Sequence, residues 1–261
     1  MYDAVRTRAA AGTNCAPVVE LRQYTCKPGR RDALIDLFDR EFVAAHEAVG
    51  IRQIGQFRDL DAPDSFVWIR GFPEPETRGR ALAGFYESAA WEAHKEEALA
   101  TLEAWDNALQ LRRSHARSGF DVPSEQPPAD VALPPASLVV ASLWQLAAPV
   151  DDEFVRFFEG HVRLAMIESG APPIASFQTD HSENPYPRLP LRTGQNHFVW
   201  FATFETPDEH REHLARLELS RQWTDVVMPE LSRRFSAPPQ LLRLEPTARS
   251  LVGRVAKSSR D

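Results

Sequence analysis

Cysteine is nearly absent from the chain. Cys15 and Cys26 are the only two among 261 residues, too few for a disulfide framework and in keeping with a reducing compartment. No apolar run approaches the roughly 18 residues that would mark a membrane-spanning helix. The N-terminal stretch carries arginines and small residues without an apolar central region, so it does not form a secretory signal. Its Arg/Ala-rich character faintly resembles an organelle transit peptide, but Asp3 and its shortness fit a disordered segment over residues 1–17 better, and a cytoplasmic location is expected. An excess of basic residues is missing too. The net charge of -7 offers no surface for phosphate backbones, which argues against a nucleic-acid partner. There is no glycine-rich phosphate loop, no Gly-x-Ser-x-Gly elbow and no Cys-x-x-Cys pair, so hydrolase, kinase and dinucleotide-dependent readings have no support.

What the chain does have is an internal repeat. Phe66-Val67-Trp68-Ile69-Arg70-Gly71-Phe72-Pro73-Glu74-Pro75-Glu76 returns as Phe198-Val199-Trp200-Phe201-Ala202-Thr203-Phe204-Glu205-Thr206-Pro207-Asp208. At the same offset Ser88-x-x-Trp91 falls on Ser220-x-x-Trp223, a duplication signal. Each copy reads as an aromatic strand that ends at a proline-acid helix start, followed by an amphipathic helix.

In the first copy, Val18 to Thr25 alternates, with Val19, Leu21 and Gln23 on one face and Glu20, Arg22 and Tyr24 on the other. From Asp32 to Val49 the residues Leu34, Leu37, Phe38, Phe42, Ala45 and Val49 recur at helical spacing, and Gly50 supplies the left-handed stop. Ile51 to Leu60 and Ser65 to Phe72 form a hairpin across Asp61-Ala62-Pro63-Asp64. A helical region from Glu76 to Leu102, interrupted near Ser88, precedes a strand at Leu109 to Arg113. The order β-α-β-β-α-β predicts a ferredoxin-like unit over 18–113, whose bare sheet face must meet a partner. Residues 114–137, rich in proline, read as a linker. The second unit, 138–246, repeats the order with strands at Leu138 to Leu146, Ile174 to Thr179, Asn196 to Phe204 and Gln240 to Leu244. It has 12 extra residues in its hairpin, since the offset changes from 120 at Ile54/Ile174 to 132 at Phe66/Phe198; Pro185-Tyr186-Pro187 lies among them. Residues 247–261 read as a basic, frayed tail.

The opening Glu20-Leu21-Arg22-Gln23-Tyr24-Thr25-Cys26-Lys27-Pro28-Gly29, the Val67-Trp68 strand and the Ser88-x-x-Trp91 helix together resemble the NIPSNAP family, of the dimeric α+β barrel class. The resemblance covers residues 18 to about 112 well and the second copy less fully. It implies an α+β fold in which two ferredoxin-like units set their antiparallel sheets face to face within one chain, a pseudo-dimer able to pair further. It implies no common reaction. Relatives by fold include antibiotic-biosynthesis monooxygenases, which use no metal or flavin, and haem-binding barrels, an analogy of fold alone.

The candidate catalytic residues are His46, Arg70 and Tyr24, with Arg22, Trp68, Trp91 and Phe42 as candidate substrate-binding residues. His46 lies near the inward stripe of the first helix and is expected to titrate near neutral pH, as a general base or as a hydrogen-bonded structural histidine. Arg22 and Arg70 stand among apolar strand residues, where an unpaired charge would cost several kcal/mol, so each needs an anionic substrate, Glu20 or an acid from the facing sheet. Tyr24 can donate to a substrate oxygen or to an internal acceptor. Ala202, Gln145 and Met166 are read as the second copy's counterparts of Arg70, Tyr24 and His46, which makes the two halves chemically unequal. His161 and His197 are the second copy's own candidates. His210 and His213, with Glu209 and Glu212 beside them, could in principle hold a metal but read as a solvated helix face. No metal or other cofactor is expected, although His46, His94 or His161 would be the axial ligands of a haem. The expected partner is a small hydrophobic molecule, bound or transformed without a cofactor by monooxygenase-like or isomerase/lyase-like chemistry. The rival expectation is a non-catalytic binding or interaction module.

Overall fold

The computed structural model describes residues 16–123, 126 and 137–253. The expectations for residues 1–15, for 124, 125 and 127–136 of the proline-rich segment and for 254–261 lie outside them.

The first half begins with β1 (Val18–Cys26), which leads into a helix whose two α-helical parts, α1 (Arg31–Leu37) and α2 (Val43–Ala48), are joined by a π segment, Phe38–Phe42. Gly50 ends it with φ of 84°. The hairpin strands are β2 (Arg52–Asp59) and β3 (Ser65–Phe72). Next come α3 (Arg78–Tyr86) and α4 (Ala89–Thr101), then β4 (Leu102–Ala104) and β5 (Ala108–Arg113). The break near Ser88 is an N-cap, in which the Ser88 hydroxyl accepts from the Trp91 N–H at 3.1 Å. That is the local reason for the repeated Ser-x-x-Trp, and Ser220 accepts from the Trp223 N–H in the second half.

The second half repeats the order as β6 (Leu138–Leu146), α5 (Asp152–Phe157), a π segment Phe158–Val162, α6 (Arg163–Glu168), β7 (Ala175–Thr179) and β8 (Asn196–Phe204). It closes with α7 (Pro207–Leu219), a third π segment Gln222–Val227, α8 (Met228–Arg234) and β9 (Gln240–Pro246). Gly170 takes the same left-handed role as Gly50, with φ of 94°.

Eight of the strands close into an antiparallel barrel in the order β1-β3-β2-β9-β6-β8-β7-β5, with β5 back on β1 and the short β4 outside the ring on β1. The halves therefore join along two seams, β2 with β9 and β5 with β7, and leave no open edge in the ring. Alternation sends Leu21, Phe57, Val67, Ile69 and Leu109 from one half, and Val139, Leu143, Phe177, Val199 and Phe201 from the other, into a single interior core. The opposite strand faces each carry a helical layer with its own core.

Three boundaries differ from expectation, the first at Ala16, expected in a disordered segment but buried in the barrel core. Phe120 and Val122, expected in a linker, are buried in the barrel core, Phe120 against Phe177 and Phe201. Leu251 and Val252, expected in a frayed tail, join the same core, and their N–H groups donate to the Ile54 carbonyl. All three segments are apolar at those positions, and burying a large side chain is worth about 1.5–3 kcal/mol.

Candidate ligand-binding site

Between the first half's helical layer and the outer face of β1 and β3 lies a cavity of about 310 Å³. Tyr24, Phe42, His46, Trp68 and Trp91 all line it, so five of the seven site candidates converge there. Arg22 and Arg70 do not reach it. They sit fully buried behind its wall, with the Arg70 guanidinium 5.2 Å and the Arg22 guanidinium 5.9 Å from the centre of the Trp68 ring.

Both arginines converge on Glu20, as does Arg78 from the first turn of α3. Glu20 accepts from Arg22 at 2.9 Å and from Arg70 at 2.9 and 2.6 Å through Oε2, and from Arg78 at 3.1 and 2.5 Å through Oε1. Three guanidiniums thus share one carboxylate in the dry layer between helix and sheet. Burial pushes the Glu20 carboxyl upward, but Arg70, Arg22 and Arg78 outweigh it and hold Glu20 far below the usual carboxylate range. Among the described residues the cluster keeps a formal surplus of two positive charges, and Nη1 of Arg70 is buried without a hydrogen-bond partner. Arg22 spends its remaining donors on the Tyr24 hydroxyl, through Nε at 3.1 Å, and on the Trp105 carbonyl at 3.2 Å. Tyr24 therefore accepts from a buried cation and keeps its own proton for another acceptor. Burial raises its pKa despite Arg22, so it stays a donor.

His46 corrects the expectation of neutral titration. Its ring lies between Phe85, 3.7 Å away and nearly parallel, and Phe38 at 5.7 Å. Nδ1 donates to the Phe42 carbonyl at the end of the π segment, 2.8 Å away. Burial and the Arg70 charge hold its pKa well below that of a free histidine, so it is neutral, and its Nε2 is a buried lone pair without a partner among the described residues.

The twelve extra residues of the second half complete this first-half cavity. Tyr186, Arg188 and Leu189, from the loop between β7 and β8, line its rim. Tyr186 stacks on Tyr86 at 5.6 Å with 11° between the planes, and Leu189 is buried in the first half's outer core. The loop rests so closely on α3 that a Cβ at Gly79 would stand 3.1 Å from Pro185. Arg192 N–H donates to the Ala108 carbonyl, fixing its far end. The insertion was visible in the sequence, but the cavity it covers was not. Trp105 and Arg78 gave no sequence signal at all.

The second half has the matching cavity, about 180 Å³, without the charges. Strand register pairs Val18 with Phe72 and Leu138 with Phe204, which fixes the offset at 120 along β1 and 132 along β3. Tyr24 thus corresponds to Trp144 rather than to Gln145, Arg22 to Ser142, Glu20 to Val140, Arg70 to Ala202 and Arg78 to His210. His161 is exposed and its Nδ1 accepts from Gln222, while His94 is half-buried beside Glu41 and Glu97. His197 is buried, with a pKa lowered to about 4 by burial and Arg192. His210 and His213, read as solvated, are instead buried against Phe204. Their shared helix face points inward although the surrounding sequence is polar. No group of metal-ligating side chains occurs among the described residues, and no helix among them is long and apolar enough to cross a membrane.

A closed eight-stranded antiparallel barrel with helices packed outside it is an α+β barrel, here built from two ferredoxin-like units within one chain. Residues 19–116 match the NIPSNAP family model, and this segment is a NIPSNAP domain. The chain is also similar to solved structures over nearly its whole length. A candidate monooxygenase from Fusobacterium nucleatum aligns with TM-score 0.54 and 11% identity, over 92% of this chain and 97% of its own. A candidate monooxygenase from Lactobacillus acidophilus gives 0.52 and 12%, over 92% and 98%. An anthrone oxidase-like protein gives 0.53 and 10%, over 92% and 96%. At these identities the likeness is one of fold. No curated protein matches the chain.

Proposed function

We propose that the first-half cavity binds a hydrophobic, oxygenated small molecule and acts on it without a cofactor, by holding an acidic hydroxyl or enol as its anion. The observation that carries this reading is the surplus positive charge of the Glu20, Arg22, Arg70 and Arg78 cluster directly behind the wall, connected to the cavity through the Tyr24 hydroxyl. At an effective dielectric of about 20, one uncompensated cation roughly 7 Å away stabilises an anion by about 2 kcal/mol. That is enough to lower the pKa of a bound phenol by more than one. The aromatic walls suit a flat ring system, and the Tyr24 proton can bond the resulting oxyanion. Forming such an anion is a step common to cofactor-independent oxygenation and to isomerase or lyase chemistry, and the cytoplasmic setting stays part of this reading.

The rival reading, a binding module without catalysis, is favoured by His46. A neutral ring packed between two phenylalanines, next to a cation that disfavours its protonation, is a poor general base. A chromogenic phenol such as a nitrophenol distinguishes these outcomes. Spectrophotometric titration of the complex should give a bound pKa at least one below the free value, and Tyr24→Phe should reduce the difference. Binding of the phenol only in its neutral form would overturn the anion reading. Oxygen consumption or substrate turnover would then separate an enzyme from a binding protein.

A further inference from the structure

The first-half cavity takes part of its lining from the second half, and one of those side chains has no role in the reading above. Arg188 is exposed at the rim, and its guanidinium forms no hydrogen bond or ion pair with another described residue. A solvated arginine on a free loop would be ordinary. This one stands on a tied turn. Pro187 and Pro190 flank the Arg188-Leu189 pair, and each fixes its own φ. Leu189 N–H donates to the Tyr186 carbonyl at 3.0 Å, the Asn184 side chain donates to the Leu189 carbonyl at 2.9 Å, and Tyr186 N–H donates to Asn184 Oδ1 at 3.1 Å. Tyr186, stacked on Tyr86, and Leu189, buried in the first half's outer core, anchor the backbone on both sides of Arg188. Its charge is thus tethered at the mouth.

The lining contains no Asp, Glu or Lys among the described residues, and its one histidine, His46, is neutral. Arg188 is therefore the one formal charge on the wall, beside a body of aromatic and aliphatic groups. Trp105, on the same lining, is 40% exposed and leaves the mouth open to solvent. An apolar slot with a cation at its mouth matches an amphipathic anion, whose ring fills the slot while its charge stays near water. One guanidinium balances one negative charge and presents a flat fork, which suits a carboxylate better than a doubly charged phosphate.

We propose that the ligand of this cavity is an aromatic carboxylic acid whose carboxylate pairs with Arg188 at the mouth, while its hydroxyl, on the anion reading above on which this proposal rests, reaches Tyr24.

The test is isothermal titration of the full chain with 2-naphthoate and 2-naphthamide, which share a shape and differ by one charge. Naphthoate should bind more tightly at low salt, and added salt should narrow the difference, because a charge at the mouth is screened. Arg188→Gln should weaken naphthoate by about 3- to 10-fold and leave naphthamide within about 2-fold. Arg188→Glu should make naphthamide the tighter of the two. Equal binding of both probes by the unsubstituted chain overturns the proposal. So does a preference for naphthoate that survives Arg188→Gln, since the buried cluster alone would then account for it. Neither probe carries a hydroxyl, so failure here is distinct from failure of the anion reading. If neither naphthoate nor naphthamide binds, this proposal falls, while a lowered pKa of bound nitrophenol would leave that reading standing.

Discussion

The two halves share a backbone plan and differ in what fills the layer between helices and barrel. In the first, Glu20 gathers Arg22, Arg70 and Arg78 around one carboxylate; in the second, Val140, Ser142, Ala202 and His210 occupy those places. Both layers are dry and both keep their π segments at equivalent points of the first helix. The fold therefore does not require the charges. Taking four charged groups out of water is costly, and a well-packed apolar layer is often as stable or more so. The second half manages without them, and it is this excess over what the fold needs that the proposed anion site would use.

The largest effect expected from this comparison follows Glu20→Gln. It leaves three buried guanidiniums without a counter-charge and should destabilise the chain by about 3–5 kcal/mol in urea unfolding, whereas Val140→Thr should cost only about 1–3 kcal/mol. Equal costs at the two positions would show that the cluster is not what distinguishes the halves. The same logic makes Arg70→Ala a poor probe of activity, because it breaks the network before it tests any chemistry.

Next comes the loop. Leu189→Ala removes a buried side chain and should cost about 2 kcal/mol or more. It should weaken ligand binding in the first cavity, as isothermal titration would read, and leave the urea transition cooperative; a loss of cooperativity would mean that the loop supports the whole barrel instead.

Acid should separate the halves more gently. A histidine whose folded pKa is depressed stabilises fully above its ordinary value near 6.5 and loses that contribution as pH falls towards its folded value. His197, His210 and His213 in the second half, and His46 in the first, are all depressed, chiefly by burial. Stability should decline from about pH 6.5 downward, with three of these four groups in the second half. The contribution of Glu20, whose folded pKa is depressed, is complete above about 4.5 and fades only below it. Urea midpoints between pH 7.5 and 4 should fall less steeply in His197→Gln; an unchanged slope would remove that residue from the account.

The smallest change is Tyr24→Phe. It deletes one hydroxyl that accepts from Arg22 and should weaken a bound phenolate by about 3- to 10-fold while moving the melting temperature by a few degrees. A drop in melting temperature without any effect on the ligand would make Tyr24 structural.

Much of the fold could be read from residues alone. The strands at Ser65–Phe72, Leu138–Leu146 and Asn196–Phe204 fall where alternation and the repeat put them. The need of Arg22 and Arg70 for Glu20 followed from the cost of burying an unpaired charge. Arg78 escaped because a basic residue in the first turn of a polar-looking helix is ordinary, and only the docking of α3 turns it inward. His210 and His213 were misjudged for a related reason. Their neighbours in sequence are charged, but three residues along a helix return to the same face, and that face meets Phe204. The correspondence of Tyr24 with Trp144 needed strand register, which a one-residue slip in a sequence alignment conceals.

The loop carrying Tyr186 and Leu189 has one more consequence, for how such a protein can change. Two identical chains forming the same barrel would each bring the same hairpin, so a segment lengthened to roof one cavity would appear over both, and every substitution would be written twice. Joined in one chain, the halves are free of that symmetry. One hairpin could grow by 12 residues while the other kept its short Asp61-Ala62-Pro63-Asp64 turn, so that each half supplies, or withholds, the surroundings of its neighbour's cavity independently.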